Sequence, residues 1–368
     1  MFIEKIEKDN LLNPLQKIIG IVDRKQAHPI LSNVLIEKTD SNIRFIATDL
    51  EIQISTQITN VNQTSPDTAI TVAAKKLQDI LKVVPEGSKV TLDIHENRLL
   101  VKVNKSKFTL QTLPAKDFPK VLEKLEQAIH IQIEQGKLKK LFAMVQYAMA
   151  QQDIRYYLKG VLLVVDGDFL KLIATDGHRL AYVETKLDQV YPKCEIILPR
   201  KTVNELIRLL AETDEKITFE LAENQVRITF SDIILVSKVI DGKFPDYERV
   251  IPNYTNKITL NRIEILQSLQ RAAILSNEQF RGVRIVLTEN NLRIISNNSE
   301  QEEAQEDMEI DYQGATLDVG FNVNYLIDGL NNAATQTVIF SFGDANSSIL
   351  ITIPGNEDFK YVVMPMRI

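Results

Sequence analysis

The chain has 368 residues, 44% hydrophobic and 25% charged, with a formal net charge of −6. This balance describes a soluble globular protein; it excludes a binder that neutralises many phosphates through an overall basic surface, and no apolar run approaches the ~18 residues a membrane-spanning helix needs. A lone cysteine, Cys194, excludes a disulfide within the chain and a cysteine-built zinc site, and reads as a small apolar filler.

Met1 to Ile6 alternates apolar and charged residues as a strand does, with no basic and then apolar leader, so a cytoplasmic location is expected. Residues 74–84 read as an amphipathic helix, with Leu77, Ile80, Leu81 and Val84 on one stripe and Lys75, Lys76 and Lys82 off it. Leu99 to Leu110 alternates as strands. Lys137 to Met149 is the clearest helix, its stripe formed by Leu138, Leu141, Phe142, Val145 and Met149, with Lys137 and Lys140 outside. After Pro199, a helix-start residue, 199–210 repeats the design with Val203, Leu206, Ile207 and Leu210 inward and Arg200, Lys201 and Arg208 elsewhere. Ile217 to Phe230 reads as a hairpin about an Ala-Glu-Asn-Gln turn, and Arg262 and Arg271 flank a further helical stripe of Ile263, Leu266 and Leu269.

One phrase recurs. Ile43-Arg44-Phe45-Ile46-Ala47-Thr48-Asp49 returns 127 residues later as Leu170-Lys171-Leu172-Ile173-Ala174-Thr175-Asp176, and a weaker copy runs from Leu292 to Asn298. Lys75 to Leu81 matches Lys201 to Ile207, with Asn322 to Leu330 as the third helix, and Asp117-Phe118-Pro119 matches Lys243-Phe244-Pro245, with Met364-Pro365-Met366 as its counterpart. Solenoid repeats run roughly 20–50 residues, whereas this period is the length of a whole domain. The expected domains are therefore 1–127, 128–254 and 255–368.

Their net charges are +2, −1 and −7. The third concentrates acid in Glu300, Glu302, Glu303, Glu306 and Asp307, while the first carries Lys102, Lys105 and Lys107 around Phe108. Two copies meeting head to tail would bring opposite charges together, and such a heterologous contact closes into a ring if the rotation allows. From charge alone a solvated acidic loop is the favoured reading.

An enzyme reading starts from Asp49 and Asp176, since paired carboxylates can hold a metal or exchange protons. Equivalent positions in a repeated chain are not neighbours in space, however, and turn formation explains an aspartate after a strand more simply. The third copy has Asn297 and Asn298 there. No phosphate-cradling glycine loop, His-Glu-x-x-His or Gly-x-Ser-x-Gly occurs. No cofactor, metal or catalytic activity is expected.

The stretches Leu113 to Pro119, Gln152 to Leu158, Ala174-Thr175-Asp176-Gly177-His178-Arg179-Leu180-Ala181, Asp241 to Tyr247, Arg271 to Arg284 and Tyr361 to Ile368 together resemble the bacterial DNA polymerase III beta subunit family, the replicative sliding clamps. The resemblance runs end to end. It implies an α+β protein of three tandem similar clamp domains with outer antiparallel sheets and inner helices. Two protomers would form a head-to-tail ring around duplex DNA and hold the polymerase to its template. A ring that holds by topology needs only weak, sequence-independent contacts, which reconciles the acidic net charge with a DNA partner.

Carried over residue by residue, the resemblance implies DNA contacts at Lys25, Lys75, Gln152, Tyr156 and Tyr157, with Arg24 beside Lys25 able to share the task. Lys201, with Lys17, Lys82, Lys140, Arg200 and Arg208, would belong to the basic lining. Clamps often have arginine where Lys25 and Lys75 stand; lysine keeps the charge and loses the bidentate fork. The family's partner-peptide groove falls on Leu158, Thr175, Gly177, His178, Arg179, Leu180, Pro245, Arg249, Val250, Tyr325, Ser348, Val362, Met364, Pro365, Met366 and Arg367. Extended peptides carrying a glutamine and a leucine or phenylalanine pair are the expected ligands, from the polymerase alpha subunit, the clamp loader, repair polymerases and mismatch-repair proteins. At the protomer interface, Phe108 and Leu110 would meet Ile274 and Leu275, with Lys76, Lys105 and Lys107 near Glu302, Glu303 and Glu306. The bland readings are a solvated face for the lysines, one buried and one exposed ring for the tyrosines, ordinary core for Met364 and Met366, and a structural loop for His178. A clamp paralogue that sequesters replication ligands is the alternative function.

Overall fold

The computed structural model of the chain describes residues 2–22, 28–39, 41–59, 67–121, 125 and 128–367. Arg24 and Lys25 lie outside the described residues. The chain begins with β1 (Ile3–Glu7), α1 (Lys8–Ile18), β2 (Asn33–Lys38), β3 (Ile43–Thr48), β4 (Ile52–Ile58), β5 (Thr68–Ala73) and α2 (Ala74–Val83). There follow β6 (Lys89–His95), β7 (Arg98–Val103), β8 (Ser106–Leu113), β9 (Ile129–Glu134), α3 (Gln135–Val145), β10 (Gly160–Thr175), β11 (Arg179–Pro199) and α4 (Arg200–Leu209). The next elements are β12 (Lys216–Leu221), β13 (Gln225–Phe230), β14 (Ile233–Lys238), β15 (Asn256–Asn261), α5 (Arg262–Ile274), β16 (Gly282–Thr288) and β17 (Asn291–Asn297). β18 (Glu303–Glu309), β19 (Leu317–Asn322), α6 (Val323–Asn332), β20 (Thr337–Phe342), β21 (Ile349–Ile353) and β22 (Asn356–Val363) complete it.

Two compact units result, Met1–Lys137 with Asn204–Val239, and Leu138–Val203 with Ile240–Ile368. Their division cuts through the second sequence repeat because sheets run across the repeats. In the first unit a 12-stranded antiparallel sheet has the order β1-β6-β7-β8-β5-β2-β3-β4-β14-β13-β12-β9. β4 joins β14 in the register Ile233↔Thr56 to Ser237↔Ile52, so strands from the first and second repeats share one ladder. In the second unit β11 pairs with β22 from Arg179↔Val363 to Val183↔Phe359 within a sheet of order β10-β11-β22-β21-β20-β15. A smaller sheet runs β18-β17-β16-β19.

Alternation puts one side of each strand inward. On β12 and β13, Ile217, Phe219, Leu221, Val226, Ile228 and Phe230 are buried while their neighbours along the strand are not. α1 and α2 bury Leu11, Leu12, Leu15 and Ile18, and Leu77 and Leu81. Full burial of such a side chain contributes roughly 1.5–3 kcal/mol. The expected helices over 74–84, 137–149 and 199–210 appear as α2, α3 and α4; residues 146–148 close α3's segment as a tighter turn.

Two of the sheet edges carry expected interface residues. β8 pairs with β7 along its length but with β5 only at Thr112 and Leu113, so among the described residues Ser106 to Gln111 has one strand neighbour. β18 is the edge of its sheet and alternates exposed and half-buried residues. Unpaired N–H and C=O groups along such edges are templates for another strand.

The repeated aspartates are turn-formers. One Asp49 carboxylate oxygen accepts from Glu51 N at 3.0 Å and Ile52 N at 2.9 Å, and Asp176 accepts from His178 N at 2.9 Å and Arg179 N at 3.1 Å. Thr48 and Thr175 each donate to a carbonyl four residues on, at 2.9 and 2.6 Å. Asn298 does the same work with an amide, accepting from Glu300 N at 3.0 Å and Glu302 N at 3.1 Å. A side-chain oxygen that satisfies backbone donors just beyond a strand fixes a tight reversal.

Candidate functional site

The second unit carries an apolar pocket of about 220 Å³ at the turn between β10 and β11. Its floor is the cluster of Leu162, Val164, Ile173, Leu180, Tyr182, Ile197, Phe244, Leu350 and Val362, against which Tyr157, Ile240, Tyr247, Ile251 and Tyr254 pack. The first unit has a smaller relative of this cluster, Leu35, Ile46 and Phe118 with Ile30 and Ala115. Sequence offsets of 126 or 127 relate Leu35 to Leu162, Ile46 to Ile173 and Phe118 to Phe244. The pocket is thus an opened version of a packing unit the chain uses twice.

Of the expected groove residues, Leu158, Thr175, Gly177, Arg179, Leu180, Pro245, Val250, Val362 and Met364 line the pocket. Arg155, Phe244 and Tyr247 also line it, and the sequence reading did not single them out. Phe244 and Tyr247 stand within the Asp241 to Tyr247 run, where the repeated Phe-Pro pair is the sequence signal for Phe244. Arg155 is held out by Asp153, which accepts from its backbone N at 2.8 Å, Nε at 3.1 Å and Nη2 at 2.8 Å. That guanidinium draws the Asp153 carboxyl down to about 2.

Gly177 occupies φ +89°, and a Cβ there would stand 2.9 Å from Arg155 Nη2. Glycine therefore serves both the left-handed turn and the approach of the arginine.

Arg179 is the most constrained pocket residue. Only 9% exposed, it donates from Nε to Asp176 Oδ2 at 3.1 Å, from Nη1 to Asp328 Oδ2 at 2.6 Å and from Nη2 to the Tyr147 carbonyl at 2.6 Å. The Tyr325 ring lies 4.4 Å from its guanidinium carbon. A buried arginine with two carboxylates and a stacked ring keeps one rotamer, because each alternative strands a charge.

The remaining groove residues are placed around this centre. The His178 carbonyl accepts from Met364 N at 2.9 Å, and Gly320 on β19 accepts from Met366 N at 2.8 Å, so the tail is strapped down at two points. Met366 and Arg367 line a second hollow of about 310 Å³ with Asn277, Phe280, Gly282 and Asn297 to Ser299. Ser348 Oγ lies 3.4 Å from Tyr254 Oη, Pro365 is half-buried, and the exposed Arg249 is paired with Asp246 at 2.8 Å. Met364 is 48% exposed, so it is not ordinary core. Tyr247 is pushed up to about 12 by burial and then by Glu248 and other acids.

The expected DNA contacts divide between helices and one loop. Lys75 on α2 is half-buried, Lys82 and Lys140 are exposed, and Lys201 on α4 is exposed. Gln152 is exposed, Tyr156 is 55% exposed and Tyr157 is half-buried, the rings meeting edge to face at 5.9 Å. Three basic residues named with the lining are committed to the fold. Lys17 pairs with Asp232 at 2.6 Å. Arg208 donates from Nη1 to the Gln16 carbonyl at 3.0 Å and from Nε to Glu205 at 3.0 Å, serving the C-terminal end of α1. Arg200 reaches the Met149 and Ala150 carbonyls at 3.4 Å.

The expected interface residues stand on the open edges or beside them. Phe108 and Leu110 are half-buried on β8 between exposed Lys107, Thr109 and Gln111, and Lys105 and Lys76 are exposed. Ile274 is 77% exposed at the end of α5, and Leu275 is half-buried. Glu302 and Glu303 are exposed, whereas Glu306 already accepts from Arg271 Nε at 2.9 Å, which lowers its carboxyl. Among the described residues no group of three or more His, Cys, Asp or Glu side chains could hold a metal ion, and no helix is long and apolar enough to cross a membrane.

Family models of the DNA polymerase III beta subunit match the chain three times, the N-terminal domain over residues 1–122, the central domain over 132–246 and the C-terminal domain over 248–367. The chain is 43% identical over 367 residues to the beta sliding clamp of Pseudomonas aeruginosa, covering 99% of each. To that of Escherichia coli it is 40% identical over 364 residues, again covering 99% of each. The crystal structure of the DNA polymerase sliding clamp from Pseudomonas aeruginosa superposes with a TM-score of 0.94 at 42% identity, and a sliding clamp from Bartonella birtlesii bound to griselimycin with 0.94 at 32%; each covers 99% of both chains. With the pocket, the threefold repeat and this end-to-end likeness in hand, the chain belongs to the DNA polymerase III beta subunit family.

Proposed function

We infer that the protein is a DNA sliding clamp that confers processivity on a replicative DNA polymerase and recruits replication and repair proteins. The observation that carries this is the likeness to beta sliding clamps at 40–43% identity over 99% of the chain. The role calls for a closed shape around DNA rather than for bond chemistry, so no catalytic residue, cofactor or metal is assigned. Three clamp domains at 1–127, 128–254 and 255–368 are proposed for each protomer.

A head-to-tail dimer is supported by two edge strands of opposite charge. The β8 edge is flanked by Lys105 and Lys107, and the β18 edge carries Glu303, Glu306 and Asp307. Pairing them would satisfy both ladders and set opposite charges together, with Ile274 and Leu275 adding apolar contact to Phe108 and Leu110. Lys75, Lys82, Lys140 and Lys201, the exposed Gln152 and Tyr156, and Tyr157 would make loose contacts with duplex DNA, joined by Arg24 and Lys25. Amines meet phosphates as mobile point charges, which permits sliding.

The apolar pocket beside the tail would take extended peptides bearing a glutamine and a leucine–phenylalanine pair, from the polymerase alpha subunit, clamp-loader subunits, repair polymerases and mismatch-repair proteins. Its methionine wall suits several clients, since a flexible thioether side chain adapts to different anchors. A cytoplasmic location follows from the work on DNA.

The test is topological. The protein is loaded on a nicked circular plasmid with a bacterial clamp loader and ATP, isolated in moderate salt, and the plasmid is then cut. Loss on cutting, with retention on the uncut circle, is the expected result; equal retention on both would mean contact-based binding and end the clamp reading.

A further inference from the structure

The three repeated helices carry an acid at the same position, Asp79 on α2, Glu205 on α4 and Asp328 on α6, at offsets of 126 and 123 residues. In the first unit Glu205 holds Arg208 at 3.0 Å, and Arg208 donates to the Gln16 carbonyl at the end of α1. In the second unit Asp328 holds Arg179 at 2.6 Å, and Arg179 donates to the Tyr147 carbonyl, in the turn that closes α3's segment. Both are braces in which an acid fixes an arginine that satisfies a carbonyl at or just past the end of another helix. The arginine differs. Arg208 is three residues along the same helix as its acid, whereas Arg179 comes from the hairpin turn and is a wall of the pocket.

We propose that Asp328 is a positioning residue for the pocket: without touching the bound peptide, it holds the Arg179 guanidinium in the rotamer that shapes the binding wall. Asp328 does not line the pocket. Its neighbour Gly329 makes room for Tyr361, since a Cβ there would lie 2.4 Å from that ring. Tyr361 precedes Val362, another wall residue, so one step of α6 sets both the β11 and the β22 walls. With Asp328 removed, Nη1 loses its carboxylate, and the guanidinium, no longer clamped from both sides by Asp176 and Asp328, can tilt as one plane away from the geometry that shapes the pocket wall.

This inference rests on the pocket's being a peptide site, and the experiment separates the two. A fluorescein-labelled synthetic peptide carrying a glutamine and a leucine–phenylalanine pair is titrated by anisotropy into the full-length protein, Asp328→Ala, Asp328→Asn, Arg179→Gln and the double variant Arg179→Gln/Asp328→Asn. Thermal melts accompany each variant. Affinity should fall roughly ten-fold in either Asp328 variant, and the Asp328 change should cost nothing further once Arg179 is glutamine, since residues acting through one another are not additive. A purely structural effect would add in full to the Arg179 loss and track the melting temperature.

Unchanged affinity in both Asp328 variants, or full additivity, overturns the positioning role while wild-type binding keeps the pocket reading. If the wild-type protein does not bind the peptide, the pocket reading falls and the positioning role with it.

Discussion

The Lys17 ammonium near the end of α1 lies 2.6 Å from the Asp232 carboxylate in the turn between β13 and β14. Asp232 also accepts from the Thr56 hydroxyl on β4, so one carboxylate ties helix and strand of the first repeat to a turn of the second.

Burial would raise the Asp232 carboxyl, but hydrogen bonds from Lys17 and Thr56 outweigh it and hold the group below its ordinary value of 3.8. Folding therefore favours the carboxylate. The stability it supplies is complete above that ordinary value and disappears as acid lowers the pH through the folded-state value. Asp232→Asn should cost about 1 kcal/mol at neutral pH, a modest figure because both side chains are about one-third exposed and screened. Urea melts at neutral and strongly acidic pH should show the gap between variant and parent closing in acid.

Met364→Ala removes a half-exposed pocket wall and leaves the core untouched. Peptide affinity should fall about ten-fold, as expected for losing part of an apolar contact worth roughly 1.5–3 kcal/mol when fully buried. Anisotropy titration measures it, and an unchanged melting temperature would separate the loss from unfolding.

Ile274→Asp with Leu275→Asp places two charges where apolar contact between protomers is proposed. Sedimentation velocity should show the dimer replaced by monomer. An intact dimer at micromolar concentration would reject the assignment of these residues. The parent dimer should weaken only modestly in high salt, since rim ion pairs are screened while apolar contact persists.

Gly177→Ala should lower stability by about 1 kcal/mol, since alanine at φ +89° is strained. It should also weaken peptide binding by displacing the Arg155 fork, which lies 2.9 Å from the added methyl. Leu50, at the equivalent turn of the first repeat, adopts φ 78° without being glycine. Leu50→Gly should therefore raise stability slightly, and calorimetry of the two variants gives changes of opposite sign.

Much of the architecture was legible because repeats and periodicity are local. The stripe of Leu77, Ile80 and Leu81 needs only helical spacing to be seen, and the Thr-Asp pair after β3 and β10 needs only turn chemistry. α1 was harder, since Pro14 interrupts its pattern yet is tolerated within the helix. Nine pocket residues were found through family motifs, but Arg155 was missed because its role depends on Asp153 and on a glycine turn distant in sequence. The commitments of Lys17, Arg208 and Glu306 were hidden for the same reason. A charge pattern shows where ions stand along a chain, and only folding shows which of them meet.

The shared ladder between β4 and β14 also bears on how the protein is made. Ribosomes deliver β4 long before β14, with α3, β10, β11 and α4 threaded between them. During that interval the strand Ile52–Ile58, buried over most of its length in the finished molecule, has an edge with no native neighbour. Contacts this distant in sequence form slowly, and an unpaired edge held open during synthesis recruits other chains. Biosynthesis of the first unit is thus most exposed to aggregation between emergence of β4 and emergence of β14, a window in which a chaperone that covers strand edges would raise the yield of folded clamp.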